Sequence, residues 1–160
     1  MITLDIISDA QKKWGEGIVK IGSLKDNEFE CIKYTTSFLN EMYDFENKDI
    51  LFKPTKASVE QFRPTFEKAL SYFLGGNNSF CSEDDGFAMM PWVNVEFKNS
   101  GLIIEENRAI AMGNYFFTDS NNNTVKVEYT FGYKLSNGYL KIDLHHSSIC
   151  LLYTSPSPRD

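Results

Sequence analysis

Histidine is scarce in this chain: there are two, and they are adjacent, His145 and His146. Neighbouring residues on a strand point to opposite faces, so the pair cannot share one metal ion, and a three-histidine zinc site is out of reach. Cysteine is scarce as well, with Cys31, Cys81 and Cys150 showing no CxxC spacing. Cys31 and Cys81 read as free thiols rather than as a disulfide framework or metal ligands. Positive charge is in the minority: 16 Lys+Arg against 22 Asp+Glu leaves a net charge of −6. Without a basic cluster to neutralise phosphates, nucleic acid and anionic membranes are excluded as partners. No apolar run approaches the roughly 20 residues of a membrane span. The start MITLDIISDAQKKWG lacks the basic-then-apolar order of a secretory signal, so cytoplasm or organelle stroma is expected. Gly75-Gly76 lacks the Lys and Ser/Thr of a phosphate loop, and no nucleophile elbow or dinucleotide fingerprint occurs. Carboxylates gather at Glu83-Asp84-Asp85 and Glu105-Glu106. In predicted loops they read as solvated charge ahead of a calcium or magnesium site.

What the chain does have is aromatic residues: 13 Phe, 8 Tyr and 2 Trp among 160 residues. That favours a β-rich domain around a sizeable apolar core or pocket. The length suits one domain that needs no metal or disulfide to hold it together. Residues 150–160, CLLYTSPSPRD, break the preceding pattern with prolines and serines and no strand or helix period. The string is what sequencing-adapter DNA gives when translated in one frame, so the expected domain is 1–149 and 150–160 is expected not to be native.

The first third reads helical. Ile7, Trp14, Ile18 and Ile21 form one stripe of a 3.6-residue period, with Thr3 or Asp5 as cap, although Gly15 and Gly17 interrupt it. A second helix is expected over 27–43 with Ile32, Thr35, Phe38, Leu39 and Met42 inward, then a short extended segment at 50–55. A third is expected over 58–73, with Phe62, Phe66, Ala69, Leu70 and Phe73 inward, Pro64 near its first turn and Gly75-Gly76-Asn77-Asn78 closing it. After residue 85 the pattern is antiparallel strands. Val93, Val95 and Phe97 alternate, Asn99-Ser100-Gly101 reads as a turn, and Val125, Val127, Tyr129, Phe131 and Tyr133 alternate strictly. Ser136-Asn137-Gly138 is a tight hairpin turn, and Leu140, Ile142 and Leu144 alternate with Lys141, Asp143 and His145.

Helices followed by a run of strands is an α+β order. The expected architecture is N-terminal helices packed on a strongly curved antiparallel sheet, a cone-shaped α+β barrel of the nuclear-transport-factor-like kind. Three hydroxyls stand among apolar neighbours: Thr55 in KPTKA, Tyr72 in ALSYF, and Ser147, which shares a strand face with His145 if the strand runs through HHSS. Hydroxyls converging in a pocket walled by Phe and Trp could hold a small polar molecule, but taken singly each reads as a satisfied cap or sheet-edge group ahead of a ligand.

The segments LFKPTKAS (51–58), QFRPTFEKALSYFLGG (61–76), GFAMMPWVNVEF (86–97), RAIAMGNYFFTD (108–119), VKVEYTFGY (125–133) and IDLHHSS (142–148) resemble the iota-class carbonic anhydrases. That family is related in fold to the association domain of calcium/calmodulin-dependent kinase II. The resemblance implies reversible hydration of carbon dioxide to bicarbonate, with carbon dioxide and bicarbonate as partners, and a homodimer. It implies no cofactor in the metal-free members, with manganese or zinc left open at family level. It also implies Thr55, Tyr72 and Ser147 as hydroxyl ligands of substrate, beside apolar walls from Trp14 and Trp92. His145 is a candidate proton shuttle, because an unperturbed imidazole titrates near pH 6.5; a structural hydrogen bond is the equal alternative. Two other readings remain: a non-catalytic binding or oligomerisation module of the association-domain type, and a cone-fold isomerase, which needs a carboxylate base on the pocket face and has no clear candidate, Asp143 being the least unsuitable.

Overall fold

The computed structural model describes residues 1–76 and 79–151, so the Asn77-Asn78 pair and most of 150–160 lie outside the described residues. Three helices precede the long strands: α1 (Leu4–Ser23), α2 (Glu28–Met42) and α3 (Phe66–Leu74), with the short strand β1 (Leu51–Lys53) between α2 and α3. Four long strands follow, β2 (Trp92–Ile104), β3 (Arg108–Asp119), β4 (Thr124–Ser136) and β5 (Tyr139–Ile149). Their order is β1-β5-β4-β3-β2, so the sheet is open, with β1 and β2 as edges. The expected α+β curved sheet is present but is not a closed barrel. Nor is it wholly antiparallel, because β1 runs parallel to β5, pairing Phe52 with His145. No helix among the described residues is long and apolar enough to cross a membrane.

α1 starts at Thr3, whose side chain accepts the Ile6 N–H. Its stripe of Ile7, Trp14, Ile18 and Ile21 is fully buried in the concavity of the sheet. The two glycines do not break it, and they let its neighbours come close. A Cβ on Gly17 would overlap the Phe38 ring of α2, and one on Gly15 would press on Val95 of β2 at 3.2 Å. α2 follows expectation except that Cys31, not Ile32, completes its inward face.

The third helix is shorter than its expected span of 58–73. Residues before Phe66 are held as an extended segment by Arg63 N–H to Phe52 C=O (2.7 Å) and Ile50 N–H to Pro64 C=O (3.0 Å). Thr65 caps the helix and Phe62 faces solvent. The expected turn at Asn99-Ser100-Gly101 is instead a bulge inside one continuous strand, β2. Another bulge at Trp92/Asn94 turns Trp92 inward and leaves Val93 exposed. Bulges bend a strand and raise its twist, which wraps the sheet around α1.

One bulge decides the site. Gly132 pairs with Leu144 and Tyr133 with Ile142, so Asp143 has no partner on β4. The extra residue reverses the alternation. Ile142 faces the core before it, and His145 and Ser147 face the core after it, with Leu144 half-exposed. Strict alternation through Leu140, Ile142 and Leu144 would have put His145 outside.

Candidate active site

Ser147 and His145 enter from β5, Tyr115 from β3 and Tyr43 from the end of α2. Thr55 enters from the loop after β1 and Tyr72 from α3. Thr55 Oγ1 lies 2.6 Å from Ser147 Oγ, and Ser147 Oγ lies 2.5 Å from the Tyr115 hydroxyl. That hydroxyl is 3.0 Å from His145 Nε2; on the other side of the ring, His145 Nδ1 is 2.8 Å from the Tyr43 hydroxyl. The Trp14 indole N–H donates to the same Tyr43 oxygen at 3.0 Å. The result is one file of polar groups, Trp14–Tyr43–His145–Tyr115–Ser147–Thr55. Tyr72 sits beside its outer end, where its hydroxyl accepts the N–H of Lys56, the residue after Thr55, at 3.0 Å. Lys53 fastens the loop by donating to the Ser147 and Thr55 carbonyls.

The file is buried and neutral. The His145 ring lies between Phe131, at 4.0 Å between centroids, and Phe52, at 4.9 Å, both nearly parallel to it. Burial holds the imidazole well below its ordinary pKa, and His146 adds to that. The premise that His145 titrates near pH 6.5 therefore fails: desolvation between two phenyl rings disfavours the cation. Burial likewise pushes Tyr43, Tyr72 and Tyr115 above the usual phenol range, so all three are neutral hydroxyls.

Thr55 is where the file meets open space. It lines a cavity of about 220 Å³ whose other walls include Phe87, Trp92, Phe117, Val127 and Ile149. Tyr72 lines an adjoining cavity of about 510 Å³ that shares Lys56, Phe87, Met90 and Trp92 with the first. Ser147 is 1% exposed and sits one hydrogen bond behind Thr55. Trp92 lines both cavities. Trp14, expected as a wall, lines neither: it is enclosed in the core, edge-on to His145 at 5.7 Å, and its contribution to the site is its N–H. A larger cavity of about 780 Å³ between α2 and α3 contains none of the hydroxyls.

The remaining candidates go elsewhere. Asp143 is held by Arg108 through both carboxylate oxygens (2.6 and 3.0 Å) and by Lys48 (3.0 Å). Burial raises its pKa, but the hydrogen bonds from Arg108 and Lys48 outweigh this and the net shift is downward, the wrong direction for a base near neutrality. Glu83 and Asp84 are not solvated charge. Glu83 accepts the N–H groups of Ser58, Val59 and Glu60, and Asp84 is buried in a two-pronged pair with Arg63. Among the described residues, no three His, Cys, Asp or Glu side chains group as a metal site would require. Cys31 and Cys81 are free and buried.

Sequence reasoning missed Tyr43 and Tyr115. Tyr115 had a legible signal, since Ala109, Ala111, Tyr115 and Phe117 share one phase of β3. Tyr43 had none, because its role follows from the angle at which α2 ends against β5.

Comparison with solved structures defines the class first. A domain of the calcium/calmodulin-dependent protein kinase II association type from Xanthomonas campestris superposes with a TM-score of 0.64 at 18% identity, covering 91% of this chain and 86% of its own. An NTF-2 like protein from Shewanella oneidensis gives 0.52 at 12% identity, covering 90% and 97%. At those identities the likeness is one of fold, the open cone of helices on a curved sheet. The family is then fixed by sequence: the model for metal-independent carbonic anhydrase matches residues 5–149. A metal-independent carbonic anhydrase of Nostoc sp. strain PCC 7120 is 37% identical over 152 residues, 92% of this chain and 74% of that protein. This chain belongs to the metal-independent carbonic anhydrase family. A cyanobacterial iota-carbonic anhydrase crystallised with bicarbonate superposes at a TM-score of 0.88 and 35% identity, covering 93% of both chains.

Proposed function

We propose that this protein catalyses the reversible hydration of carbon dioxide to bicarbonate and a proton, without a bound metal, at the hydroxyl cluster of Thr55, Tyr72 and Ser147. The observation that carries the reading is Thr55 on the wall of an apolar cavity, with Ser147 hydrogen-bonded behind it and Tyr72 on the adjoining cavity, in a chain of this family. Carbon dioxide is apolar and suits walls of Phe87, Trp92 and Phe117. Bicarbonate carries negative charge on oxygen and suits hydroxyl donors beside Lys56.

Without a metal-lowered water pKa, two effects supply the acceleration. The cavity holds water and carbon dioxide together, replacing an encounter with a positioned pair. Thr55 and Tyr72 donate to the oxygens on which charge develops as the C–O bond forms. Ser147 holds Thr55 from behind. The proton leaves through the cavity mouth to water or buffer, since His145 stays neutral. A homodimer belongs to the same proposal; Ile110, Met112 and Phe116 share the sheet face opposite the buried Ala109, Ala111 and Tyr115 and supply apolar surface for it. Sedimentation velocity reads the oligomeric state, and a monomer at micromolar concentration would remove the dimer.

Stopped-flow hydration of carbon dioxide tests the reaction and the hydroxyls together. The wild-type chain should exceed the buffer rate, and Thr55→Val should lower kcat by about 10²-fold, the typical loss of one oxyanion donor. A wild-type rate equal to buffer would leave the binding-module reading standing. Equal rates for wild type and Thr55→Val would remove Thr55 from the site.

A further inference from the structure

The polar file has a direction, and one residue sets it. An indole N–H can only donate. The Trp14 N–H is 3.0 Å from the Tyr43 oxygen, so that oxygen is an acceptor and the Tyr43 hydrogen must go to its other neighbour, His145 Nδ1, at 2.8 Å. Nδ1 is then unprotonated and the ring hydrogen sits on Nε2, from which it donates to Tyr115 at 3.0 Å. Tyr115 in turn donates to Ser147, and Ser147 to Thr55. The reverse order would put the Nδ1–H and the Trp14 N–H on the same Tyr43 oxygen. The Tyr43 hydrogen would then lack an acceptor in a fully buried place, which leaves the desolvation of that hydroxyl uncompensated. A charged imidazolium fails by the same count.

We propose that Trp14 is a positioning residue that fixes His145 as its neutral Nε2–H tautomer and aims every hydroxyl of the file toward the cavity. The outer end follows from counting hydrogens. The Thr55 oxygen already accepts from Ser147, and the Tyr72 oxygen accepts from the Lys56 N–H. Among the described contacts neither the Thr55 nor the Tyr72 hydroxyl hydrogen has a protein acceptor, so each can point as a donor into the cavity it lines. The cluster therefore offers a donor to a bicarbonate oxygen, and the file ends blind at an indole that cannot pass a proton on. The part about bicarbonate rests on the carbonic anhydrase reading; the tautomer does not.

The groups facing His145 are Trp14 from α1, Tyr43 after α2, Phe52 from β1, Tyr115 from β3, Phe131 from β4 and its chain neighbour His146. No carboxylate is among them. Nitrogen-15 NMR of histidine-labelled protein reads the tautomer directly, with exposed His146 as internal reference. The expected His145 signal is the Nε2–H form, unchanged from about pH 5.5 to 9, a span in which an ordinary imidazole titrates. An Nδ1–H form or an imidazolium at pH 7 would overturn the proposal. Replacing Trp14 by 3-benzothienylalanine exchanges the N–H for sulfur at nearly constant size. A mixture of tautomers and a kcat lowered about 10-fold with KM little changed are expected, the fold-change that one neutral hydrogen bond corresponds to. An unmixed Nε2–H signal in that variant would show that Trp14 does not set the direction. If the tautomer is as stated while wild-type protein hydrates no carbon dioxide, the catalytic reading fails and the polarity stands.

Discussion

Two buried polar clusters lie on either side of Tyr72, and they are built on opposite electrostatic plans. One is ionic. Arg63, fully enclosed, clasps Asp84 with two 2.8 Å hydrogen bonds, donates to the carbonyls of Glu60 and Lys68, and lies 5.8 Å from the Tyr72 ring. Ser71 closes the cluster by donating to Asp84. The other is the neutral file from Trp14 to Thr55. The ionic cluster fastens the extended segment before α3 to the loop after it, and so fixes where Thr55 and Tyr72 stand. The neutral file ends at the cavity proposed to take carbon dioxide, which it meets with the uncharged Thr55 hydroxyl beside Lys56.

The ionic cluster is the easier of the two to break. Arg63→Met should cost about 3–5 kcal/mol in urea unfolding, because Asp84 is left buried and unpaired. Replacing both partners with apolar residues should recover much of that loss; a double variant as unstable as the single one would mean the pair itself is the source of stability. Tyr115→Phe cuts the neutral file between His145 and Ser147. Its expected cost is smaller, about 1–3 kcal/mol, because a buried hydroxyl and a ring N–H lose a partner. Tyr72→Phe is expected to leave urea stability nearly unchanged while lowering kcat. Unchanged activity in that variant would take Tyr72 out of the chemistry.

Acid separates the clusters without mutation. His145 has a lowered pKa in the folded state, so the unfolded chain binds the extra proton first. Its contribution is whole above the unfolded value near 6.5 and is lost as pH falls below it, by at most about 1.4 kcal/mol per pH unit. Glu83 is held down to about 2 by the N–H groups of Ser58 and Glu60. Its contribution is present above the ordinary carboxylate value and is lost only as pH falls from there toward about 2. Denaturation midpoints should therefore decline in two stages, with the first beginning near pH 6.5 and absent in His145→Gln. A first stage that survives that substitution would assign it to another group.

How much of this was legible in the sequence depends on whether a residue's place was set by its neighbours or by a break in the pattern. The α1 stripe from Ile7 to Ile21 and the alternation from Val127 to Tyr133 follow from periodicity and came out as expected. The hydroxyls Thr55, Tyr72 and Ser147 stood out among apolar neighbours, motif resemblance gave them a shared role, and the fold brings them close together. What periodicity could not supply were the irregularities. The unpaired Asp143 turns His145 inward, and the bulge at Asn99 keeps β2 running where a turn was expected. Backbone pairing of 50–64 likewise shortens α3. Each is a long-range choice between strands, invisible to a local window. The same limit hid the acidic pair Glu83-Asp84, whose partners lie about 20 residues earlier in the chain.

In the proposed chemistry hydroxyls, not a metal ion, carry the hydration of carbon dioxide in this cavity. Stopped-flow hydration after exhaustive treatment with a chelator tests it most directly. The expected result is a rate above buffer that survives the chelator and does not rise when manganese or zinc is returned. A rate abolished by chelator and restored by either metal would contradict it.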